Sequence, residues 1–479
     1  MRKTKLLIVM ALAAALMTGC GGSQAAKETA KPDYSNIKVN LPDKKPDHIT
    51  IAKDAVEEFA ISEDGVGNCP LVYNSEDGKF HIGTYDGEVL ESKDDMAYEG
   101  DGNTLTLKGF NYSASFAPVL IFEDETKIIL EEGTSNYFAV ESETAVADAD
   151  YTSVIYALDS LSIEGNGIFY ATYPETTSGD SCAVRVRGDL NITDTMFYPY
   201  SAASAGENTA VSVDGDVNFT SSDSAVIAAE SVITTGIKCA NLNITDTTLS
   251  ITAGAASNIN GDRKEEEIVS SGIIASGEIN SVNSTVSVES ADSTGASEAV
   301  NAGKGINVTG GLFNGIAGIA DRSIGILSGG DFNITNAYSA GRVAQANYNA
   351  YGIYAKGDVN VSGDTSDTCI TADAGVTFTT DDACSCALYT KGTLNQDGGM
   401  LDATAGESTI SRGIAADKGL NFKKGSLTAF GYKSLIICDD GVITVSDGTD
   451  VFGSDNEFIS GETKSLWSTS NNTAFFSKS

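Results

Sequence analysis

Five acidic side chains recur at one place in a repeated phrase: Asp189, Asp216, Glu278, Asp331 and Asp358 each stand two residues before an asparagine. Asp189 and Asp216 are 27 residues apart, as are Asp331 and Asp358. If one repeat stacks on the next, these carboxylates become neighbours and repel each other unless water or a cation lies between them. Ca²⁺ takes about six to eight oxygen ligands from such carboxylates and amides, so Asp189, Asp216, Asp331 and Asp358 are the candidate metal ligands and Ca²⁺ the candidate cofactor. Gly-Asp in a solvated corner is also favourable turn chemistry, and both readings stand.

The phrase itself is a short apolar strand around an asparagine: LNIT at Leu190–Thr193, VNFT at Val217–Thr220, LNIT at Leu242–Thr245, FNIT at Phe332–Thr335 and VNVS at Val359–Ser362. Its apolar pair points one way and its Asn and Thr the other. The asparagines form an outward column that serves either as an amide ladder fixing register or as a row of sugar-binding amides, Asn333 and Asn360 among them. The segment QANYNAYGIY, 345–354, adds Tyr348 and Tyr351 close in sequence to Arg342. An aromatic face beside amide and guanidinium donors suits a sugar, whose apolar ring face stacks while its hydroxyls hydrogen-bond. A loop packed on its own wall would use the same residues.

Catalysis is not expected. Histidine is confined to His48 and His81, ahead of the repeats, and the acidic pairs Asp381-Asp382 and Asp439-Asp440 lack companions for general acid–base work. Candidate lyase bases such as Arg185, Arg322 and Arg412 sit in no recognisable motif.

The elements that must hold these residues follow from the period. The repeat asparagines run from Asn191 to Asn421, and six of their eight steps lie between 25 and 27 residues. Each unit, such as GIKCANLNITDTTLSITA from Gly236, has three alternating apolar–polar pieces with Gly, Asp, Asn or Ser between them. That is strand periodicity with turn punctuation, and no unit buries its own apolar face without a neighbour. The fold class is therefore all-β: a parallel β-helix with coils of about 26 residues, right-handed by the crossover rule. Roughly 13 coils at about 4.8 Å give a solenoid roughly 60 Å long.

Around this body the chain divides as follows. Residues 1–20 read as a lipoprotein signal peptide: Arg2, Lys3 and Lys5, an apolar run at Leu6–Met17, then Met17-Thr18-Gly19-Cys20, with Cys20 the lipidation site. Residues 21–47 are a polar, proline-bearing tether. Residues 48–100 form an N-terminal β-rich cap, 101–453 the β-helix, and 454–479 a C-terminal cap with Trp467 and Phe475-Phe476 covering the last coil. The protein is thus expected outside the cytoplasm, anchored by lipid to the bacterial cell membrane or surface, as a monomer.

The formal net charge of −36 excludes nucleic acid as a partner. It favours cations, neutral polymers, or anionic polymers bridged by cations. Beyond Cys20, seven cysteines without regular spacing argue against a disulfide framework and for small buried side chains.

The order LTLKGFNYSASFAPVLIFEDETKIILEEGTSNYF at Leu105–Phe138, then VIYALDSLSIEGNGIFYA at Val154–Ala171, then the GI-x-A-x-G-x-L-N-I-T units, resembles the carbohydrate-binding parallel β-helix proteins of bacterial surfaces. The resemblance spans roughly Asn103 to Phe452, and LEEGTSNYF and SLSIEGNGIFYA are its most specific parts. It implies calcium and a polysaccharide partner, cellulose-like or acidic, from plant cell walls. The function expected is calcium-assisted polysaccharide binding without catalysis. The alternatives are a structural or adhesive protein recognising host protein or glycan, and an atypical polysaccharide lyase.

Overall fold

The computed structural model describes residues 66–445 except 68, 94–95, 116, 142–152, 177–178, 259–262, 365, 379–382, 433 and 439–441, together with short strands at Val39–Asn40, Thr50–Ile51, Asp450–Phe452 and Thr473–Ser477. Cys20, His48, Asp381-Asp382, Asp439-Asp440 and Trp467 lie outside the described residues.

One pass of the chain consists of three strands, as at Ile233–Cys239, Leu242–Thr245 and Thr248–Ala253. Each pairs in parallel with its counterpart in the coils before and after. The first strand of every coil joins a 14-stranded sheet, and the second and third join a 25-stranded sheet. One strand of the smaller sheet, Lys79–Ile82, is antiparallel, which leaves 13 stacked in parallel, one per pass. About 11 regular turns, spaced about 27 residues apart, make up the parallel β-solenoid.

Alternation in the asparagine strand has its expected consequence: Leu242 and Ile244 are fully buried while Asn243 and Thr245 face out. Three residues after the asparagine the chain turns through a left-handed residue: Asp194, Ser221, Asp246, Asn283 and Asn336 have φ of 49–52°. Asp and Asn tolerate that region because their side chains bond locally, and glycine takes it at Gly310 and Gly363. This corner separates the asparagine strand from the strand that follows.

In the 14-stranded sheet the ladder skips one residue per coil, a small one in most coils. Val211 pairs with Ile237, Ile273 with Val300 and Ile353 with Leu388, while Ala210, Gly236, Gly272, Ala299, Gly352 and Ala387 fall between ladder pairs and so form a stacked bulge. We call this the bulged strand. At Gly352 the bulge brings the residue before the small one and the residue two after it, Tyr351 and Tyr354, to one face. The small residue points inward at close range: a Cβ on Gly236 would overlap Ile251, and one on Gly352 would press on the Gly341 carbonyl.

The core changes along the axis. Phe110, Phe138, Phe169, Phe197 and Phe219 form a buried ring stack, with neighbouring centroids 5.2–6.3 Å apart. Further on, Gly325, Gly341 and Gly352 bring facing backbones into direct contact. At the N-terminal end, Tyr98–Asp101 runs antiparallel to Thr104–Leu107, and Phe80 and Tyr98 pack on Phe110. At the other end Thr473–Ser477 runs antiparallel to Gly419–Phe430. Antiparallel strands thus border both ends, where a parallel stack would otherwise expose unpaired backbone.

Gly341→Ala tests the pinched core. Its Cβ would strike the Gly352 carbonyl oxygen, and overpacking of this kind costs about 1–3 kcal/mol. A lower midpoint in denaturant is expected, and an unchanged midpoint would show that the two faces can separate freely.

Candidate functional site

The acidic column sits at the corner entering the asparagine strand, and its carboxylates bond to backbone. Asp189 Oδ1 accepts the N–H of Asp216 at 2.8 Å, Asp331 Oδ1 that of Asp358 at 2.8 Å, and Asp358 Oδ1 that of Thr393 at 2.7 Å. Asp216 Oδ1 accepts the backbone N–H of Asn241 at 3.1 Å and its side-chain amide at 2.7 Å. Each carboxylate therefore caps the same corner one coil further on. The preceding glycine makes the approach possible, because a Cβ on Gly215, Gly357 or Gly392 would overlap the carboxylate oxygen of the previous coil. That is the physical content of the repeated Gly-Asp pair. Among the described residues, no three His, Cys, Asp or Glu side chains gather to hold an ion.

The asparagines form a continuous ladder. Asn218 Nδ2 donates to Asn191 Oδ1 at 2.8 Å, Asn333 to Asn307 at 2.8 Å, Asn360 to Asn333 at 2.7 Å, and Asn421 to Asn395 at 2.8 Å. Below Asn191 the ladder continues onto Ser162 at 3.2 Å. Each amide spends one N–H and one carbonyl lone pair on its neighbours, and these half-buried side chains fix the register of successive coils.

The five residues proposed from sequence to bind carbohydrate fall on different strands. Asn333 and Asn360 belong to the amide ladder. Arg342 lies in the third strand, Tyr338–Ala346, with its Nε 3.3 Å from Asp373. Tyr348, 47% exposed, sits in the following turn, and Tyr351 lies in the bulged strand Asn349–Ala355. The chain turns from one sheet to the other between Arg342 and Tyr351, so closeness in sequence does not make one site of them.

Tyr351 nevertheless heads an aromatic cluster. The bulge at Gly352 turns Tyr351 and Tyr354 to the same outer face, with centroids 5.3 Å apart. One coil on, Tyr389 lies 6.1 Å from Tyr351 and 5.0 Å from Tyr354. The three rings are tilted by 33–43° and partly exposed. Tyr389 donates its O–H to Asp417 at 3.0 Å, and Arg412 stacks above Cys386 in the coil beyond. Burial pushes the Tyr351 hydroxyl well above the usual phenol range; burial and then Asp417 do the same for Tyr389. Both stay protonated at neutral pH.

Sequence reasoning missed Tyr389 and Asp417. The usable signal was the alignment of GIYAKGDVN with CALYTKGTLN, which places Tyr354 and Tyr389 at equivalent positions.

Other reactive groups are engaged or inert. His81 bonds Asp77 at 2.9 Å and the Gly87 carbonyl at 2.9 Å within the N-terminal hairpin region. No disulfide joins the seven cysteines of the described residues. Burial pushes Cys69 up to about 11 and Cys239 up to about 12, far from a reactive thiolate. Burial raises the Asp373 carboxyl, Arg342 opposes it, and Asp402 adds a smaller push upward. Compared with protein families, curated proteins and solved structures, the chain finds no match.

Asn333→Asp probes the ladder. Aspartate cannot donate to Asn307 Oδ1 when ionised, so the variant loses a hydrogen bond and sets a carboxylate against that oxygen, a cost of about 1–3 kcal/mol. Only the protonated acid can donate, so folding raises the new carboxyl's pKa. The missing stability then returns as pH falls through that value and is absent above it. Thermal melting at neutral and acidic pH reads this; equal destabilisation at both would remove the donor argument.

Proposed function

We propose that this protein is a lipid-anchored surface protein that binds polysaccharide without cleaving it, and that the Tyr351, Tyr354 and Tyr389 platform is its contact. The observation carrying this reading is that three tyrosines from two adjacent coils share one outer face, with Asp417 beside them as a hydroxyl acceptor. Aromatic rings beside a few polar groups suit the apolar faces and hydroxyl edges of sugars. The resemblance of LEEGTSNYF and SLSIEGNGIFYA to carbohydrate-binding β-helices supports the same reading. The charge of −36 favours neutral chains, or acidic chains bridged by a cation. Calcium belongs to the second mode: Asp331 and Asp358 spend Oδ1 on backbone, which leaves their Oδ2 atoms for a shared ion.

Retention of the protein from residue 27 onward on immobilised neutral and acidic glycans, with calcium or with chelator, tests the proposal. Tyr354→Ser with Tyr389→Ser is expected to lower retention about tenfold in protein that still melts in one cooperative transition, by loss of two ring contacts of about 0.5–1.5 kcal/mol each. Unaltered retention would move the site elsewhere. Retention on protein alone would favour an adhesin, and unsaturated ultraviolet-absorbing products would favour a lyase. Dependence on calcium that vanishes in the Asp331→Asn, Asp358→Asn double variant marks the cation-bridged mode; indifference to chelator marks direct stacking.

Anchoring has its own test. Cys20→Ser in the producing cell is expected to abolish palmitate labelling and to release the protein from the membrane fraction. A variant that stays with the membrane would remove the lipid anchor.

A further inference from the structure

A second aromatic tract lies on another face. In the third strands of three consecutive coils, Tyr137, Tyr170 and Tyr198 occupy one outward column in direct register. Their centroids are 6.3 and 5.4 Å apart, and the ring planes are tilted by 55° and 34°. Tyr200, two residues along the strand from Tyr198, shares its face, and Met196 beside them is 38% exposed. The tract ends where Ala225 takes the next place on the coil after Tyr198, in line with the pairing of Tyr200 with Ile227. None of these tyrosines belongs to the bulged-strand platform, which lies in the other sheet.

A buried apolar core does not require these rings. Phe138, Phe169 and Phe197 already fill the inward positions of the same three strands. Surface β-strands tolerate threonine or serine here, as Ser250, Ser287 and Thr371 show in later coils. Three half-buried tyrosines in register form an apolar strip along the axis, with one ring per coil of about 4.8 Å. The pitch is close to the rise of one pyranose in an extended chain.

The charges beside the strip select the occupant. Burial and then the Asp223 carboxylate raise the Tyr198 hydroxyl; burial and then Glu175 raise that of Tyr200. Protonated phenols and two carboxylates offer donors and acceptors to sugar hydroxyls but repel uronic acids. We infer that Tyr137, Tyr170 and Tyr198 form a second glycan-binding tract, which takes a neutral linear polysaccharide lying along the solenoid axis, about one sugar ring per coil. With the platform at Tyr351, Tyr354 and Tyr389 on a different sheet, one molecule holds two chains at once. The second tract stands on its own geometry, whereas the bridging of chains rests also on the function proposed above.

Affinity electrophoresis through hydroxyethylcellulose and through polygalacturonate tests this, beside sedimentation of hydroxyethylcellulose by the protein. Tyr170→Ser with Tyr198→Ser is expected to weaken retardation by the neutral polymer roughly tenfold or more, to keep a single cooperative melting transition, and to abolish co-sedimentation. Tyr170→Phe with Tyr198→Phe keeps the rings and is expected to keep most of the retardation, which separates stacking from folding damage. Wild-type protein retarded equally with its Tyr170→Ser, Tyr198→Ser variant overturns the second tract and leaves the bulged-strand platform standing. Retardation by polygalacturonate alone overturns the neutral occupant, and retardation by neither polymer overturns both readings. Binding by both tracts without co-sedimentation overturns the bridging.

Discussion

The structure depends on one constraint: every coil hydrogen-bonds in parallel to the coil below it, in register, at a separation of about 4.8 Å. A parallel stack repeats each position along the axis, so a side chain suited to one coil must suit its own copy. Apolar positions turn into continuous core, and polar positions turn into columns. The columns are stable only when each member satisfies the next. Asparagine does so because its amide both donates and accepts. Aspartate cannot donate, and it solves the problem differently, by reaching the backbone N–H of the next corner instead of the next aspartate.

The same constraint explains the glycines. Gly215, Gly357 and Gly392 stand where a carboxylate from the coil below approaches the backbone, whereas Gly236 and Gly352 stand where the bulged strand faces the opposite wall. A single residue type thus answers two different close approaches. The bulge also has a consequence for chemistry. It sets Tyr351 and Tyr354 side by side within a single coil. A regular strand would leave residues three apart on opposite faces.

In such a molecule the outward side chains are organised as columns along the axis. Among the described residues some outer positions carry polar ladders and others ion pairs, such as Arg185 with Asp214 at 2.7 Å and Lys127 with Glu164 at 2.6 Å. Where the column turns aromatic, the surface offers rings that its own neighbours use only in part. Those places carry the proposed contacts.

Much of this was legible in the chain alone. The period of the asparagines determined the three-stranded coil, the inward face of each L-N-I-T phrase and the amide ladder, because a parallel stack converts sequence period directly into spatial contact. Gly-Asp announced a corner. The backbone partner of each carboxylate was not legible, since Asp189 and Asp216 are equally spaced whatever they bond; only the corner geometry places an N–H of the next coil on each Oδ1. Arg342, Tyr348 and Tyr351 looked like one site because they are close in sequence, and the turn between sheets separated them. Tyr389 and the Tyr137, Tyr170 and Tyr198 column went unseen for the converse reason: their neighbours are one coil away, about 27 residues along the chain. Local sequence fixes what each strand buries, and only the stacking of coils decides which outward side chains meet.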